Sequence, residues 1–153
     1  MGAARRQGAA GVTLVELLIV VTLMATLAAV LAPILIPSPS RTLRNSASEI
    51  ATTLRETRRQ AQAQQARRRF VVDTAARRYG IEGAASWHQL PDGVEVELTT
   101  AESLVRDRQR GGIDFFPDGS STGGRVALGM EGRALRVDIE WLTGRIRVTE
   151  DGP

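Results

Sequence analysis

Cysteine is absent from this chain of 153 residues, and lysine is absent too, so that all 20 basic residues are arginine. Without cysteine, the chain has no disulfide framework, no thiolate nucleophile and no cysteine zinc site. His88 is the only histidine, and one histidine without cysteine builds no familiar zinc site. The sequence therefore predicts neither a metal nor a cofactor. The lack of lysine indicates a GC-rich genome, whose codons favour arginine, and is not interpreted as a binding signal.

Motifs of catalysis are lacking as well. The one string with G-x-S-x-G spacing, at residues 119–123, lies between two strand candidates and not between a strand and a helix as a nucleophile elbow does, and the glycines at 123–124 and 129–132 do not form a phosphate loop between a strand and a helix. Asp114 and Asp118 flank a predicted turn, but two acids without further ligand spacing are poor evidence for calcium. We therefore expect a structural and interaction protein and not an enzyme.

The N-terminal segment contains the longest apolar run. Residues 1–11, MGAARRQGAAG, are small and basic, and residues 17–36 contain no charged side chain. A run of about 20 residues is the length that an α-helix needs to cross the hydrocarbon layer. Arg5 and Arg6 precede the run, and the positive-inside tendency therefore predicts a cytoplasmic N-terminus and an outward C-terminal domain.

Three interpretations compete for this segment. A secretory signal peptide has a shorter apolar region, of about 7–15 residues, and Pro33 and Pro37 interrupt the place for its cleavage site. A plain signal anchor explains the length and the orientation but not Glu16, since a carboxylate near the head of a spanning helix is costly. A cut between Gly11 and Val12 explains both, because the Glu16 carboxylate then meets a free α-amine at a new N-terminus.

The string G-V-T-L-V-E at residues 11–16 resembles the prepilin signature of type IV pilins and type II secretion pseudopilins. In that family a prepilin peptidase cuts after the glycine and N-methylates the next residue. The resemblance implies cleavage after Gly11, methylation of Val12 and a role for Glu16 as the assembly carboxylate. It also places Pro33 where many members have a helix-kinking proline. The chain departs from the family at Val12, where most members have phenylalanine.

Loss of the leader would change the charge balance of the chain. The formal net charge is +3, with 20 arginines against 17 acidic residues. Cleavage removes Arg5 and Arg6, so the remaining arginines nearly balance the acids. The high isoelectric point is therefore a weak argument for nucleic-acid binding.

Beyond a transmembrane and assembly helix at residues 12–36, the pattern predicts an α+β domain. Pro-Ser-Pro-Ser at 37–40 indicates a break, and residues 37–69 are predicted to form an amphipathic helix because apolar residues recur at helical spacing. Residues 70–153 contain short alternating segments, which predict an antiparallel β domain. The expected fold is pilin-like: a long N-terminal helix, transmembrane in its first half, packed on antiparallel sheets.

Seven segments of the C-terminal half are strand candidates: RFVVD, RRYGIE, VEVELTT, IDFFP, RVALGM, LRVDIEW and RIRV. Trp87 and His88 are assigned to a loop or turn before Pro91. The loop 99–112 is expected to be mobile or to lie at an edge. Trp141 and the Phe115-Phe116 pair are expected in core or sheet packing and not in a platform for stacking bases.

A second resemblance covers about residues 112–148, with IDFFPDGSSTGGRVAL followed by LRVDIEWLTGRIRV. These strings are similar to the GspH/FimT-type minor pilins. The GspH-like branch caps the pseudopilus of type II secretion, and the FimT-like branch serves type IV pili and DNA uptake. Members of the latter kind can carry a Gly-Arg-x-Arg motif that contacts DNA, and residues 144–147, Gly-Arg-Ile-Arg, fit it.

Two groups of arginines are candidates for phosphate binding. On a strand Arg145 and Arg147 share one face, where they either grip phosphates or form a solvated strand face. The solvated face is the favoured interpretation, because two charges alone bind weakly. The run Arg67-Arg68-Arg69 is interpreted as a solvated helix end that complements the helix dipole.

Together the two resemblances imply a minor pseudopilin of a type II secretion system, assembled near the tip of the pseudopilus that drives protein export. Expected partners are other major and minor pseudopilins, the prepilin peptidase, the inner-membrane assembly platform and secreted substrates. The chain would be a single-pass inner-membrane protein with a periplasmic C-terminal domain. Two alternatives stay open: a FimT-like minor pilin that binds DNA, and an anchored periplasmic domain unrelated to filaments.

Overall fold

The structure, a computed structural model, describes residues 13–35, 38–100 and 110–150. The chain divides into two compact units, Met1–Pro37 and Ser38–Pro153. The first unit contains helix α1, Leu14–Leu35. Within these described residues, the second unit contains helix α2 and eight strands. The expected α+β class is confirmed, with an apolar N-terminal helix, a second helix and antiparallel sheets.

Helix α1 begins with a local cap and continues through its proline. The backbone N–H of Glu16 donates to Thr13 Oγ1 at 3.2 Å, which satisfies one of the free donors of the first turn. The helix extends two residues beyond Pro33 and ends at Leu35. Pro33 therefore does not end the helix.

Helix α2 spans Pro39–Ala63. Ser38 is its N-cap, since the Ser38 side chain accepts from the backbone N–H of Arg41, and Pro39 occupies a first-turn position where its missing N–H costs nothing. The prediction of helix up to residue 69 was wrong. Gln65 adopts φ +49°, a left-handed conformation that ends the helix, and the next strand begins at Arg68.

Two four-stranded antiparallel sheets follow, in the orders β3-β2-β1-β5 and β4-β6-β7-β8. Every predicted strand segment overlaps one of the observed strands. The bounds are β1 Arg68–Asp73, β2 Arg78–Ile81, β3 Trp87–Gln89, β4 Glu95–Thr99, β5 Arg110–Phe115, β6 Gly124–Met130, β7 Arg133–Ile139 and β8 Ile146–Glu150.

One strand was missed. Trp87 and His88 lie in β3, paired with Gly80 and Tyr79 of β2, and not in a loop. The reason lies in the partner strand. The indole of Trp87 covers Gly80, where even a methyl group would approach the ring to 3.3 Å, and the rings of Tyr79 and His88 stack at 5.2 Å between centroids. These contacts hold a short strand that alternation alone does not reveal.

Residues at both ends of the predicted loop 99–112 belong to strands, where the prediction was wrong. Thr99 is the last residue of β4, and residues 110–112 belong to β5, where Gly112 pairs with Val71 of β1. Residues 101–109 lie outside the described residues. The strand begins early because Arg110 pairs with Asp73, which extends the β1–β5 ladder beyond the apolar segment.

The core lies under α2. Small and branched residues line the buried face of α2, and the inward residues of both sheets pack against them. Members of the core from α2 are Leu43, Ala47, Ile50, Ala51, Leu54 and Ala61; members from the strands include Phe70, Val72, Tyr79, Ile113, Phe115, Val126, Leu128 and Val137. Alanines on α2 let the helix approach the sheets closely, so one helix serves both of them.

Candidate functional site

Glu16 stands at the head of α1 as the only acidic residue of its first turn. Its side chain is exposed, and its backbone N–H donates a hydrogen bond to the Thr13 hydroxyl oxygen. Thr13 and Glu16 have the Thr-x-x-Glu spacing of a capping box. Both residues lie within the prepilin signature at residues 11–16. The positive end of the helix dipole favours a carboxylate here. Glu16 is therefore positioned by the helix start, with its carboxylate available to a further group.

The surface of α1 around Glu16 is apolar. The segment Leu14–Leu31 has a mean hydropathy of 2.6 and is long and apolar enough to cross a membrane. All side chains described in α1, up to Leu31, are exposed, and Leu14 reaches 83%. Thr22 and Thr26 donate their hydroxyl groups to backbone carbonyls four residues earlier, at 2.7 and 2.8 Å. These bonds satisfy the only polar side chains between Glu16 and Leu31, so the surface suits lipid or another apolar helix.

The other residues of the prepilin signature are placed only in part. Gly11 and Val12, the predicted cleavage site, lie outside the described residues. Pro33 lies in the backbone of α1 near its end.

The second candidate, Arg145 and Arg147, lies at the β7–β8 hairpin. Gly144 has φ +58°, and its N–H donates to the Glu140 carbonyl at 2.9 Å, which closes the turn. Arg147 then faces Asp138 across the ladder, and the Asp138 carboxylate binds Arg125 Nε at 2.6 Å. A shallow pocket contains both candidate arginines together with Asp138 and Glu140. Cations and carboxylates therefore alternate on this face.

The arginine run at 67–69 is not a helix end. Arg68 and Arg69 belong to β1, and a terminal nitrogen of Arg67 binds the buried Asp114 carboxylate at 2.9 Å. Arg69 Nε lies 3.9 Å from the same carboxylate. The physical reason for the error is a long-range partner, since Asp114 on β5 is brought opposite Arg69 only by sheet pairing.

Trp141 was expected in packing, and this was wrong. Its side chain is 66% exposed in the β7–β8 turn, next to Leu142 at 62%. The Trp141 carbonyl accepts from the Ser121 N–H at 2.8 Å, which fixes its backbone and leaves the indole outward. Phe115 is fully buried, as expected.

A polar cluster joins α2 to the first sheet. Tyr79 donates from its buried hydroxyl to Glu49 at 3.3 Å, and its ring stacks on His88. Burial raises the pKa of Tyr79, and the nearby Glu49 carboxylate raises it further. The phenol is thus held neutral in the folded chain.

The pair Asp114 and Asp118 does not form a common site. Asp118 Oδ1 accepts from the backbone N–H and the hydroxyl of Ser120, at 2.9 and 2.6 Å. These bonds lower the pKa of Asp118, the side-chain bond most, so its carboxylate caps its own turn. Among residues 13–35, 38–100 and 110–150, no group of three His, Cys, Asp or Glu residues could hold a metal ion.

Comparison with known proteins gives consistent results. The family model described as Type II transport protein GspH matches residues 46–144. The chain is 38% identical over 143 residues to Type II secretion system protein H of Xanthomonas campestris pv. campestris, covering 93% of this chain and 84% of that protein.

Solved structures show the same fold at lower identity. The minor pseudopilin EpsH of the type 2 secretion system of Vibrio cholerae matches with a TM-score of 0.57 and 15% identity, covering 72% of this chain and 98% of that chain. The type IV minor pilin FimU of Pseudomonas aeruginosa matches with a TM-score of 0.54 and 16% identity, covering 70% of this chain and 87% of that chain.

Proposed function

The chain belongs to the GspH family and is a minor pseudopilin of type II secretion, and we propose that Glu16 directs its assembly after a prepilin peptidase has cut between Gly11 and Val12 and methylated Val12. Other pseudopilins are its partners, and α1 anchors it in the inner membrane. The observation that carries the proposal is one carboxylate at the head of an apolar helix whose side chains are all exposed from Leu14 to Leu31.

The energetics of Glu16 support an intermolecular partner. An unpaired carboxylate in lipid costs several kcal/mol. If the charged amine of a neighbouring subunit lies ~4 Å from this carboxylate, their Coulomb attraction contributes about 4 kcal/mol at an effective dielectric constant near 20. Cleavage after Gly11 generates such an amine at Val12 in every subunit. The pair would therefore fix the register between adjacent helices.

The remaining surface of α1 suits lateral packing. Leucine, isoleucine and valine side chains are exposed from Leu14 to Leu31, and the hydroxyl groups of Thr22 and Thr26 are hydrogen-bonded within the helix. Between helices in lipid, dispersion and close packing replace the hydrophobic effect. Pro33, near the end of α1, would ease a bend where the chain leaves the membrane.

Orientation follows from the leader. Arg5 and Arg6 favour a cytoplasmic N-terminus, which puts the domain of residues 38–153 in the periplasm. In this arrangement the inner-membrane assembly platform adds the subunit to a growing pseudopilus, near its tip, and growth drives folded exoproteins outward. The role of the chain is structural, and the peptidase acts on it as a substrate.

The first test concerns processing. Mass spectrometry of the chain from cells with the prepilin peptidase should show an N-terminus at Val12 that carries one methyl group. Cells without the peptidase should yield the uncut chain. An intact Met1 in the first strain, or a cut beyond Pro33, would contradict the proposal.

The second test separates processing from assembly. Glu16→Ala should be cut normally but should be lost from sheared pseudopili, whereas Glu16→Asp, which keeps the charge, should be retained in part. Thr22→Ala is the matched control in the same helix and should assemble normally. Normal incorporation of Glu16→Ala would remove the assigned role.

A further inference from the structure

Trp141 and Leu142 form an exposed apolar pair between β7 and β8, since the two residues are 66% and 62% exposed. Among the described residues outside α1, the only other large apolar residue that is exposed is Val148, at 45%. A single exposed apolar residue is normal on a soluble domain, but two adjacent large ones form a patch. Tryptophan is also among the residues most enriched at the energetic centres of protein interfaces.

The backbone that carries this pair is fixed. We call residues 140–145 the Trp141 turn. The Ser121 N–H donates to the Trp141 carbonyl at 2.8 Å, and the Ser121 hydroxyl donates to the Glu140 carbonyl at 3.0 Å. Gly123 lies directly against Trp141, because even a methyl group there would approach the Trp141 Cβ to 3.0 Å. A side chain on a fixed backbone loses little conformational freedom on binding, so the turn is preorganised for a contact.

The Trp141 turn lies against the C-terminal half of α2. A Cβ at Gly144 would approach Arg58 Nε to 3.1 Å, and this nitrogen donates to the Gly119 carbonyl at 3.1 Å. Along α2, Arg58 lies about 28 Å from Pro39, near which the chain enters the domain. The turn is therefore remote from the attachment of α1, and a contact made by the turn is separate from helix packing in the membrane.

The charges beside the turn favour a protein as the partner. The pocket next to the turn contains Arg145 and Arg147 together with Asp138 and Glu140. Nucleic acids and anionic lipid surfaces select cations, and the two carboxylates would repel them. An apolar centre with a polar rim of both signs is instead the usual composition of a protein–protein interface.

A second copy of this chain is a poor partner for the turn. Outside α1, the described residues of a copy offer no second exposed apolar patch, because Val148 stands alone. Pairing of the turn with itself would give a symmetric dimer, which closes and does not extend a filament. The partner is therefore expected to be a different chain.

The size of the patch favours a partner that is anchored in the same membrane. A buried aromatic side chain covers about 150–250 Å², whereas a stable interface buries about 800 Å² on each partner. The pair alone would therefore hold a soluble secreted protein only weakly. A protein whose own helix packs beside α1 binds at a high effective concentration, so a small contact is sufficient. Other pseudopilins are partners of this kind.

We infer that the Trp141 turn docks into an apolar depression on the domain of a different pseudopilin of the same filament. Trp141 is the anchor of the contact, and Leu142 packs beside it. The contact joins unlike subunits and does not repeat between copies of this chain, as a minor subunit requires. The inference rests on the proposed assembly and adds the surface that selects the neighbouring subunit.

The two tryptophans, Trp87 and Trp141, allow a direct test. The full chain in detergent is labelled with 5-fluorotryptophan, and its two fluorine resonances are assigned with Trp87→Phe. Each other pseudopilin of the same secretion system is then added in turn, unlabelled, at constant detergent. One of them should shift the Trp141 resonance. The Trp87 resonance should stay in place as an internal control, because Trp87 lies in β3 of the other sheet.

Variants of the turn measure the strength of the contact. Trp141→Ser with Leu142→Ser should weaken the affinity for that pseudopilin about tenfold or more, measured by isothermal titration calorimetry in the same detergent. The urea midpoint of this double variant should equal that of the wild type, since both side chains are exposed. Val148→Thr is the matched control, because it changes an exposed apolar residue elsewhere, and it should change the affinity by less than about twofold.

The outcomes are distinct. A Trp141 resonance that no other pseudopilin of the system shifts would overturn the inference, and so would a double variant with the affinity of the wild type. An equal shift with unlabelled copies of this chain would identify a self-contact, and a shift only with a secreted protein would identify a cargo site; both results also contradict the inference. The titration does not depend on Glu16, so normal incorporation of Glu16→Ala would refute the proposed function and leave this contact standing.

Discussion

Arg147 of β8 lies directly opposite Asp138 of β7, and Asp138 in turn binds Arg125 of β6 at 2.6 Å. A carboxylate therefore separates two arginines in one row across three strands. Opposite charges placed across a ladder stabilise the sheet, typically by about 0.2–1 kcal/mol for each pair. The same carboxylate would repel a phosphate that approaches Arg147. The row is better suited to holding the sheet than to gripping a nucleic-acid backbone.

The first prediction concerns DNA binding by the Gly-Arg-Ile-Arg segment. Arg145→Ala with Arg147→Ala should change the affinity of the chain for duplex DNA by less than about twofold, because Asp138 and Glu140 already offset these charges. Fluorescence anisotropy at two salt concentrations measures this. Asp138→Asn should strengthen binding slightly. A loss of tenfold or more in the double variant would instead identify a DNA site.

The second prediction gives the glycine of that segment a structural role. Gly144 has φ +58°, and an added Cβ would collide with the Gly119 carbonyl oxygen and approach Arg58 Nε to 3.1 Å. Gly144→Ala should cost about 3 kcal/mol in the free energy of unfolding, measured with urea. Gly132→Ala is the matched control, since φ is +74° but no atom lies within 4 Å, and it should cost about 1–2 kcal/mol. Equal costs would mean that only the backbone conformation matters.

The third prediction uses the buried phenol. Tyr79 is the only tyrosine and the chain has no lysine, so in the unfolded chain it is the main side chain that titrates between about pH 9 and 12. Its pKa is raised in the folded chain by burial and by Glu49. Stability is therefore full below the unfolded pKa of about 10 and falls as the pH rises above it, because only the unfolded state releases the proton.

Tyr79→Phe tests this dependence. At pH 7 the variant should lose about 0.5–1 kcal/mol, since it gives up the hydrogen bond to Glu49. Above pH 10 its thermal midpoint should fall less steeply than that of the wild type. The phenolate absorbance of the wild type should appear together with unfolding. Ionisation of the phenol well before unfolding would contradict the assignment.

The sequence predicts those features that depend on local patterns. Alternation located the strands β1, β2 and β4 to β8, and the Pro-Ser-Pro-Ser segment located the start of α2, because turns and periodicity are encoded within a few residues. The signature at Glu16 is equally local. The cap from Thr13 was not predicted, although the Thr-x-x-Glu spacing is a local signal that could have revealed it.

The errors at β3 and at the arginine run share one physical cause, which is a partner on another strand. β3 is held by Gly80 and Tyr79, and a three-residue strand without alternation gives no signal of its own. The arginine run resembles a helix end because Asp114, more than forty residues later, is not predictable as its partner. The register between β7 and β8 also decides that Asp138 lies opposite Arg147. The periodicity of the sequence does not reveal which residues lie opposite each other on paired strands.

The last prediction measures how much that long-range partner stabilises the fold. The Asp114 side chain is 8% exposed, while Arg67, which binds it at 2.9 Å, is 57% exposed. Arg67→Ala should cost about 1–2 kcal/mol in urea unfolding, because it leaves a buried carboxylate with less compensation, and exposure of Arg67 keeps the loss below that of a fully buried pair. Arg59→Ala, which breaks only the exposed pair with Glu56, should change stability by less than about 0.5 kcal/mol.

A double-mutant cycle decides whether Arg67 acts through Asp114. Asp114→Asn removes the charge but keeps the shape of the side chain, so Arg67→Ala should then cost much less than it does in the wild-type background. The two losses would be non-additive by about 0.5–1 kcal/mol or more, as expected for residues in direct contact. Strict additivity would show that Arg67 stabilises the start of β1 by packing alone, and that Asp114 is compensated by Arg69, at 3.9 Å on the same face of the sheet.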